Sequence, residues 1–139
     1  MPFEISWLAQ DSILYQRYFG CFDINDLNSV QSETQAHLAH VQGTHFVHIL
    51  LDLRDLHQID LTLKQISSTI HRNEQDNLGW TVLVLCPDSR VTPFIKMLGA
   101  AASRLFDLRY RAFDNYDHAL DFILTMDQHL NQLVTAQPA

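Results

Sequence analysis

Two stretches of the chain are apolar at nearly every position, with no alternation: Phe46-Val-His-Ile-Leu-Leu, running into Asp52, and Trp80-Thr-Val-Leu-Val-Leu85. Strands of this kind are buried on both faces, as in a parallel or mixed sheet covered by helices. The first ends in a carboxylate, and the more polar residues from Leu53 to Asp60 are predicted to form a loop. The carboxyl ends of such strands are where α/β folds place ligand or partner sites. The second strand is stopped by Cys86-Pro87-Asp88, since proline donates nothing to a ladder.

Two weaker strand patterns come first. Phe3 to Trp7 and Ser12 to Phe19 are joined by Ala9-Gln10-Asp11, which suits an antiparallel hairpin. In the second of them Ile13, Tyr15, Arg17 and Phe19 share one face and Leu14, Gln16 and Tyr18 the other, the pattern of a half-buried strand. A last short strand, Leu108 to Phe113, carries Arg109 and Arg111 on one face, as an edge guarded by charge would.

Between the strands the period changes to that of a helix. Asp23, followed by Asp26, is placed to cap a helix over Ile24–Val41 whose inward stripe is Leu27, Val30, Thr34, Leu38 and Val41. Gln42-Gly43-Thr44 ends it. Asp60 is predicted to cap a second helix with Leu63, Ile66 and Ile70 inward, and Asn77-Leu78-Gly79 to turn before the next strand. Thr92-Pro93 reads as N-cap and first helical residue of a third helix, reaching Ser103, with Phe94, Leu98 and Ala101 on one side. Its small residues Gly99, Ala100 and Ala102 fit either close packing on the sheet or an approach by another subunit or lipid. Asp114 is predicted to cap a last helix with Ala119, Phe122, Ile123, Met126, Leu130 and Leu133 inward, before a flexible tail over 134–139. The order is β-β-α-β-α-β-α-β-α. It defines an α/β class: one layered domain over 1–139, core 3–133, with about five mixed strands and about four helices.

Composition narrows what such a domain does. At 139 residues with 47% hydrophobic and 18% charged positions the chain suffices for one core. A formal net charge of −7 argues against nucleic acid as a partner, because that binding is driven by neutralising phosphates. The two cysteines, Cys21 and Cys86, form no CxxC, so a disulfide scaffold or zinc cluster is not indicated and reduced thiols in a cytoplasm are expected. Met1-Pro2-Phe3-Glu4 does not open a signal peptide, and no apolar run reaches the ~18 residues of a membrane span. Stable membrane insertion is not expected. Trp7 and Trp80 read as core or near-core residues.

The polar residues offer chemistry without completing any. His37 and His40 can share a helix face, with His45 and His48 following, but no third ligand is identifiable, so no metal is assigned. Asp52, Asp55 and Asp60 are close enough for acid–base work or magnesium. No Gly-rich phosphate loop, G-x-S-x-G elbow or readable triad accompanies them. Asp60 as a helix cap and Asp52 as a strand-end residue are simpler readings, so no catalytic residue and no cofactor are assigned. Arg90, Lys96, Arg104, Arg109 and Arg111 are five of the nine basic residues, near Asp88 and Asp107. They form either a face for an anionic ligand or acidic partner, or a solvated helix face beside a charged edge.

Three patterns resemble the STAS fold of anti-sigma-factor antagonists, and its SpoIIAA-like branch in particular, over Glu4 to Leu130. They are Ile49-Leu-Leu-Asp-Leu-Arg-Asp-Leu-His-Gln-Ile-Asp60, Trp80 to Leu85 with its following helix, and Tyr110-Arg-Ala-Phe-Asp-Asn-Tyr-Asp-His-Ala-Leu-Asp-Phe122. The resemblance implies a non-enzymatic, cytoplasmic regulatory module, a homodimer that presents one loop and helix to a protein partner. Carried onto this chain, that surface is Asp52, Asp55, Leu56, His57, Asp60, Leu61, Thr62 and Lys64. In phosphorylatable members a serine follows the second Asp. Here Leu61 stands after Asp60, the nearest hydroxyl is Thr62, and the glycines common after the phosphoacceptor are missing. The usual phosphoserine switch is therefore not expected. The other reading is a carrier of a small apolar or lipid-like anion, built from the helix between Phe94 and Phe106 and the nearby arginines.

Overall fold

The computed structural model describes residues 2–41, 46–72, 78–106 and 109–135. Along the chain come β1 (Phe3–Ala9), β2 (Ile13–Asp23), α1 (Ile24–Leu38), β3 (Val47–Asp60), α2 (Leu63–Arg72), β4 (Leu78–Val84), α3 (Thr92–Phe106), β5 (Arg109–Phe113) and α4 (Tyr116–Thr135). The strands form one mixed sheet in the order β1-β2-β3-β4-β5. The first pair is antiparallel and every later pair parallel. This is the α/β layering the periodicity predicts.

Helices cover both faces. On one, Leu27 and Val30 of α1 and Ile95 of α3 pack with Phe22, Leu53, Leu56, Leu83 and Leu85, joined by Ile66 of α2. On the other, Ala119 and Ile123 of α4 pack against Ile13, Leu50, Val82 and Val84. Burying both faces is what the apolar runs of β3 and β4 require. Trp80 meets Phe122 edge-on, and Trp7 meets the His37 ring edge-on at 6.0 Å, so both tryptophans line the core.

The largest departure from expectation is the length of β3. The residues predicted as a loop up to Asp60 continue the strand and stay paired with β2 as far as Asp23↔Asp60. The pairing shifts between Arg17 and Phe19 and again between Gly20 and Cys21. These irregularities let Leu53, Leu56 and Ile59, each three residues apart, reach the same core. A strict alternation test therefore misses this half of the strand. β2, predicted to be half-buried, lies in the sheet interior between β1 and β3.

Helix starts also move. Asp23 and Asp26 make the expected capping box on α1. At α2 the exposed Asp60 belongs to the strand, and Thr62 with Gln65 closes the box instead, at 3.1 and 2.9 Å. Leu63, predicted inward, is 39% exposed. Thr92 is the first residue of α3 and donates its hydroxyl to the Cys86 carbonyl at 2.6 Å, tying the helix to the end of β4. Asn115, not Asp114, accepts from the His118 amide at the start of α4. Leu78 and Gly79 belong to β4, not a turn, and 134–135 still belong to α4. Gln42-Gly43-Thr44, His45, Asn77, Asp107 and Leu108, and the side chains of Ile70, Ala102, Phe106, Leu130 and Leu133, lie outside the described residues.

The small patch of α3 has a packing role. A β-carbon on Gly99 would meet the Tyr110 ring, so glycine is what lets α3 lie against β5 there.

Candidate functional site at the carboxyl end of the third strand

Asp52 closes the doubly buried half of β3 and is 1% exposed. Its carboxylate accepts from the Tyr15 hydroxyl at 2.8 Å, from Arg54 Nε at 2.9 Å and Nη2 at 2.8 Å, and from the Arg54 amide at 3.2 Å. Burial alone would raise the Asp52 pKa, but the Arg54 fork, the Tyr15 hydroxyl and the Arg54 amide together hold it below its usual value. The same bonds hold Arg54 charged, while burial and the Asp52 hydrogen bond push the Tyr15 phenol upward. Arg54 also lies 5.4 Å over the Tyr116 ring, which meets Tyr15 edge-on. A carboxylate so fully engaged is a structural tie between β2, β3 and the start of α4. It is not poised as a general base, which needs a pKa near working pH and a free lone pair toward substrate.

Asp55 is exposed and takes two bonds from Arg17, at 3.0 and 2.9 Å; Arg17 also approaches Glu4 at 3.7 Å and lies over Phe19. Beyond it the predicted partner residues separate into two groups. Leu56 is 2% exposed in the core and Leu61 packs half-buried against it. His57, Asp60, Thr62 and Lys64 are exposed, with Leu63 among them. Leu56 is thus withdrawn from the surface by the strand irregularity. The exposed apolar position on this ridge is Leu63, which helical periodicity alone assigns inward.

His48 is fully buried. The Trp80 amide donates to its Nδ1 at 2.9 Å, so Nε2 carries the proton and donates to Asp127 of α4 at 3.1 Å. A β-carbon on Gly79 would strike the ring, so glycine in β4 leaves the space that the imidazole fills. His37 bonds the Glu33 carbonyl at 2.7 Å and His40 is exposed. Among the described residues no three His, Cys, Asp or Glu side chains gather as a metal site would need.

The five basic residues do not form one face. Arg109 lies over Phe46, and Arg111 over Phe113 and Phe122 at 5.3 and 5.0 Å. Arg90 is exposed before α3, and Arg104 is exposed in its last turn, about 12 Å along the axis from Lys96. Lys96 lines a cleft between α3 and the end of β5 to which residues 111–114 also contribute.

Compared with known proteins, the chain matches no family model and no curated protein. Among solved structures it is similar to an uncharacterized protein of the DUF3478 family with a SpoIIAA-like fold from Shewanella loihica PV-4. That similarity has a TM-score of 0.62 at 14% identity, over 87% of this chain and 91% of the other. It is also similar to the Bacillus cell fate determinant SpoIIAA in its phosphorylated form, with a TM-score of 0.52 at 10% identity, over 87% and 98%. The fold is therefore STAS-type, SpoIIAA-like α/β, as the motif resemblance implies. Neither relative is named as an enzyme. No described helix is long and apolar enough to cross a membrane.

Sequence reading missed Arg54, Tyr15, Gly79 and Leu63. Asp52 and Arg54 are two apart, hence on one face of a strand, and that spacing was the available signal once β3 was allowed to continue. Tyr15 and Gly79 reach their partners across the sheet, and nothing local announces either.

Proposed function

We propose that this chain is a non-enzymatic, cytoplasmic regulatory module that binds a protein partner through the carboxyl end of β3 and the first turn of α2, and that it acts as a homodimer. The observation that carries the reading is the ridge of exposed His57, Asp60, Thr62, Leu63 and Lys64, one apolar anchor among polar residues, standing beside a rigid buried cluster. Interfaces commonly take most of their energy from a few such anchors with a polar rim. Support also comes from the SpoIIAA-like fold, whose Bacillus representative is described in a phosphorylated form.

In this reading the ridge does not switch by phosphoserine. Leu61 follows Asp60, and the Thr62 hydroxyl accepts from the Gln65 amide in the helix cap. The test is affinity purification from the native host, identification of the co-purifying protein, and titration of that purified protein with wild-type chain and with Leu63→Asp. Leu63 is the better probe than Leu61, whose side chain also packs on the core. At least about tenfold weaker binding is expected for Leu63→Asp; unchanged affinity rejects the ridge. Phosphopeptide mapping of protein from that host should find Thr62 unmodified, and native mass spectrometry should give the mass of two chains.

A further inference from the structure

The sheet has two outer edges, and they are built differently. β5 is five residues long and carries Arg109 and Arg111, both exposed, as an edge that resists further pairing does. β1 is seven residues long, and its one charged side chain, Glu4, is answered by Arg17 of β2 at 3.7 Å. Proline stands only before it, at Pro2, and the irregularity in its pairing comes after Trp7. An edge left regular and nearly uncharged over residues 3–7 is a template for another strand.

The bonds of β2 show which backbone groups that edge offers. The Phe19 amide donates to the Pro2 carbonyl, and on the other side of the same strand the His48 amide of β3 donates to the Ser12 carbonyl. Odd residues of β2 thus bond toward β1 and even ones toward β3. Glu4 and Ser6, paired with Arg17 and Tyr15, turn their N–H and C=O groups inward, and Phe3, Ile5 and Trp7 turn theirs outward, where no described strand lies. Phe3 and Ile5 have their side chains in the core that α1 covers, and Trp7 meets His37 of α1. Glu4, Ser6 and Leu8 are exposed on the opposite face.

Such a strand fits its own copy in one antiparallel register. With a two-fold axis at Ile5, Phe3 pairs with Trp7 of the second copy and Ile5 with Ile5, so every outward group is bonded and the apolar row runs on across the join. On the opposite face Glu4 then lies beside Ser6 of the second copy. An axis at Glu4 would set glutamate against glutamate, and an axis at Ser6 would bring Phe3 to the irregular stretch beyond Trp7.

We propose that β1 pairs with β1 of a second copy of this chain about Ile5, joining the two sheets into one. This rests on the homodimer proposed above and names its surface.

The test is sedimentation equilibrium of the full chain, wild type against Ser6→Glu, Ser6→Lys and Ala100→Glu. Ser6 is exposed, so both of its variants should fold. Ser6→Glu sets two glutamate pairs against each other and is expected to raise the dimer Kd about tenfold; Ser6→Lys sets lysine beside Glu4 and should hold the dimer at least as tightly as wild type. Ala100→Glu, exposed on α3 and adding the same charge away from β1, should leave association unchanged. A wild-type dimer that Ser6→Glu does not weaken, that both Ser6 variants weaken equally, or that only Ala100→Glu weakens would overturn the β1 edge and leave the homodimer standing. A wild-type chain that stays monomeric would overturn both.

Discussion

The two halves of β3 use the same kinds of residue to opposite ends. From Val47 to Asp52 the strand has helices on both sides, and its polar side chains, His48 and Asp52, are 0% and 1% exposed and fully occupied within the chain. From Asp55 to Asp60 one set of side chains, Leu56 and Ile59, still reaches the core, while Asp55, His57 and Asp60 face solvent. A histidine and an aspartate are structural in the first half and exposed in the second, although local sequence looks similar in both. The difference is how many layers cover the strand. Full cover forces every polar group to find a partner, and half cover leaves such groups available to another molecule.

If that contrast holds, substitutions should divide between loss of stability and loss of binding. The largest effect is expected for His48→Ala, which opens a cavity and leaves the Trp80 amide without its acceptor, at about 3–4 kcal/mol. Denaturant titration reads this directly, and a loss below about 1 kcal/mol would break the contrast. Gly79→Ala, which presses the same ring from β4, should cost about 1–3 kcal/mol.

Asp52→Asn comes next, at about 2 kcal/mol, because the Arg54 fork and the Tyr15 hydroxyl lose a charged acceptor while the partly exposed Arg54 regains water. This carboxyl is held below its ordinary value of 3.8, so the unfolded chain binds its proton first. Its contribution is complete above that value and is lost as pH falls below it toward the folded-state pKa. Wild-type stability should therefore decline over that acidic range more steeply than that of Asp52→Asn, and parallel curves would remove Asp52 as the cause. Thr62→Ala should cost only about 0.5–1 kcal/mol through the lost cap. Smallest in stability is Leu63→Asp, within about 0.5 kcal/mol, yet it carries the largest expected loss of partner affinity. A Leu63→Asp chain that unfolds readily would show that the ridge is part of the core and not a contact surface.

Legibility followed the same division. The apolar runs at Phe46 to Leu51 and Trp80 to Leu85 announced strands that need cover on both faces, and Asp23 with Asp26 announced the start of α1, because burial period and capping are properties of neighbours in sequence. The far half of β3 was hidden because the irregular pairing with β2 turns Leu53, Leu56 and Ile59, at a spacing of three, onto one core. Asp60 and Asp114 were plausible caps lying two residues and one residue before the capping residues, Thr62 and Asn115. Small differences in where a strand lets go decide which polar residue caps.

What the sequence determined by itself was the order of elements and the need for a sheet covered on two sides. Those follow from short-range periodicity, which survives whatever the distant chain does. Tertiary structure decided which polar residues are spent. Tyr15 meets Asp52 and Gly79 yields to His48 because of strand register, and α3 and α4 cover opposite faces because of the crossovers that lead into them. Register and crossover are relations between residues far apart in the chain, so no local pattern encodes them.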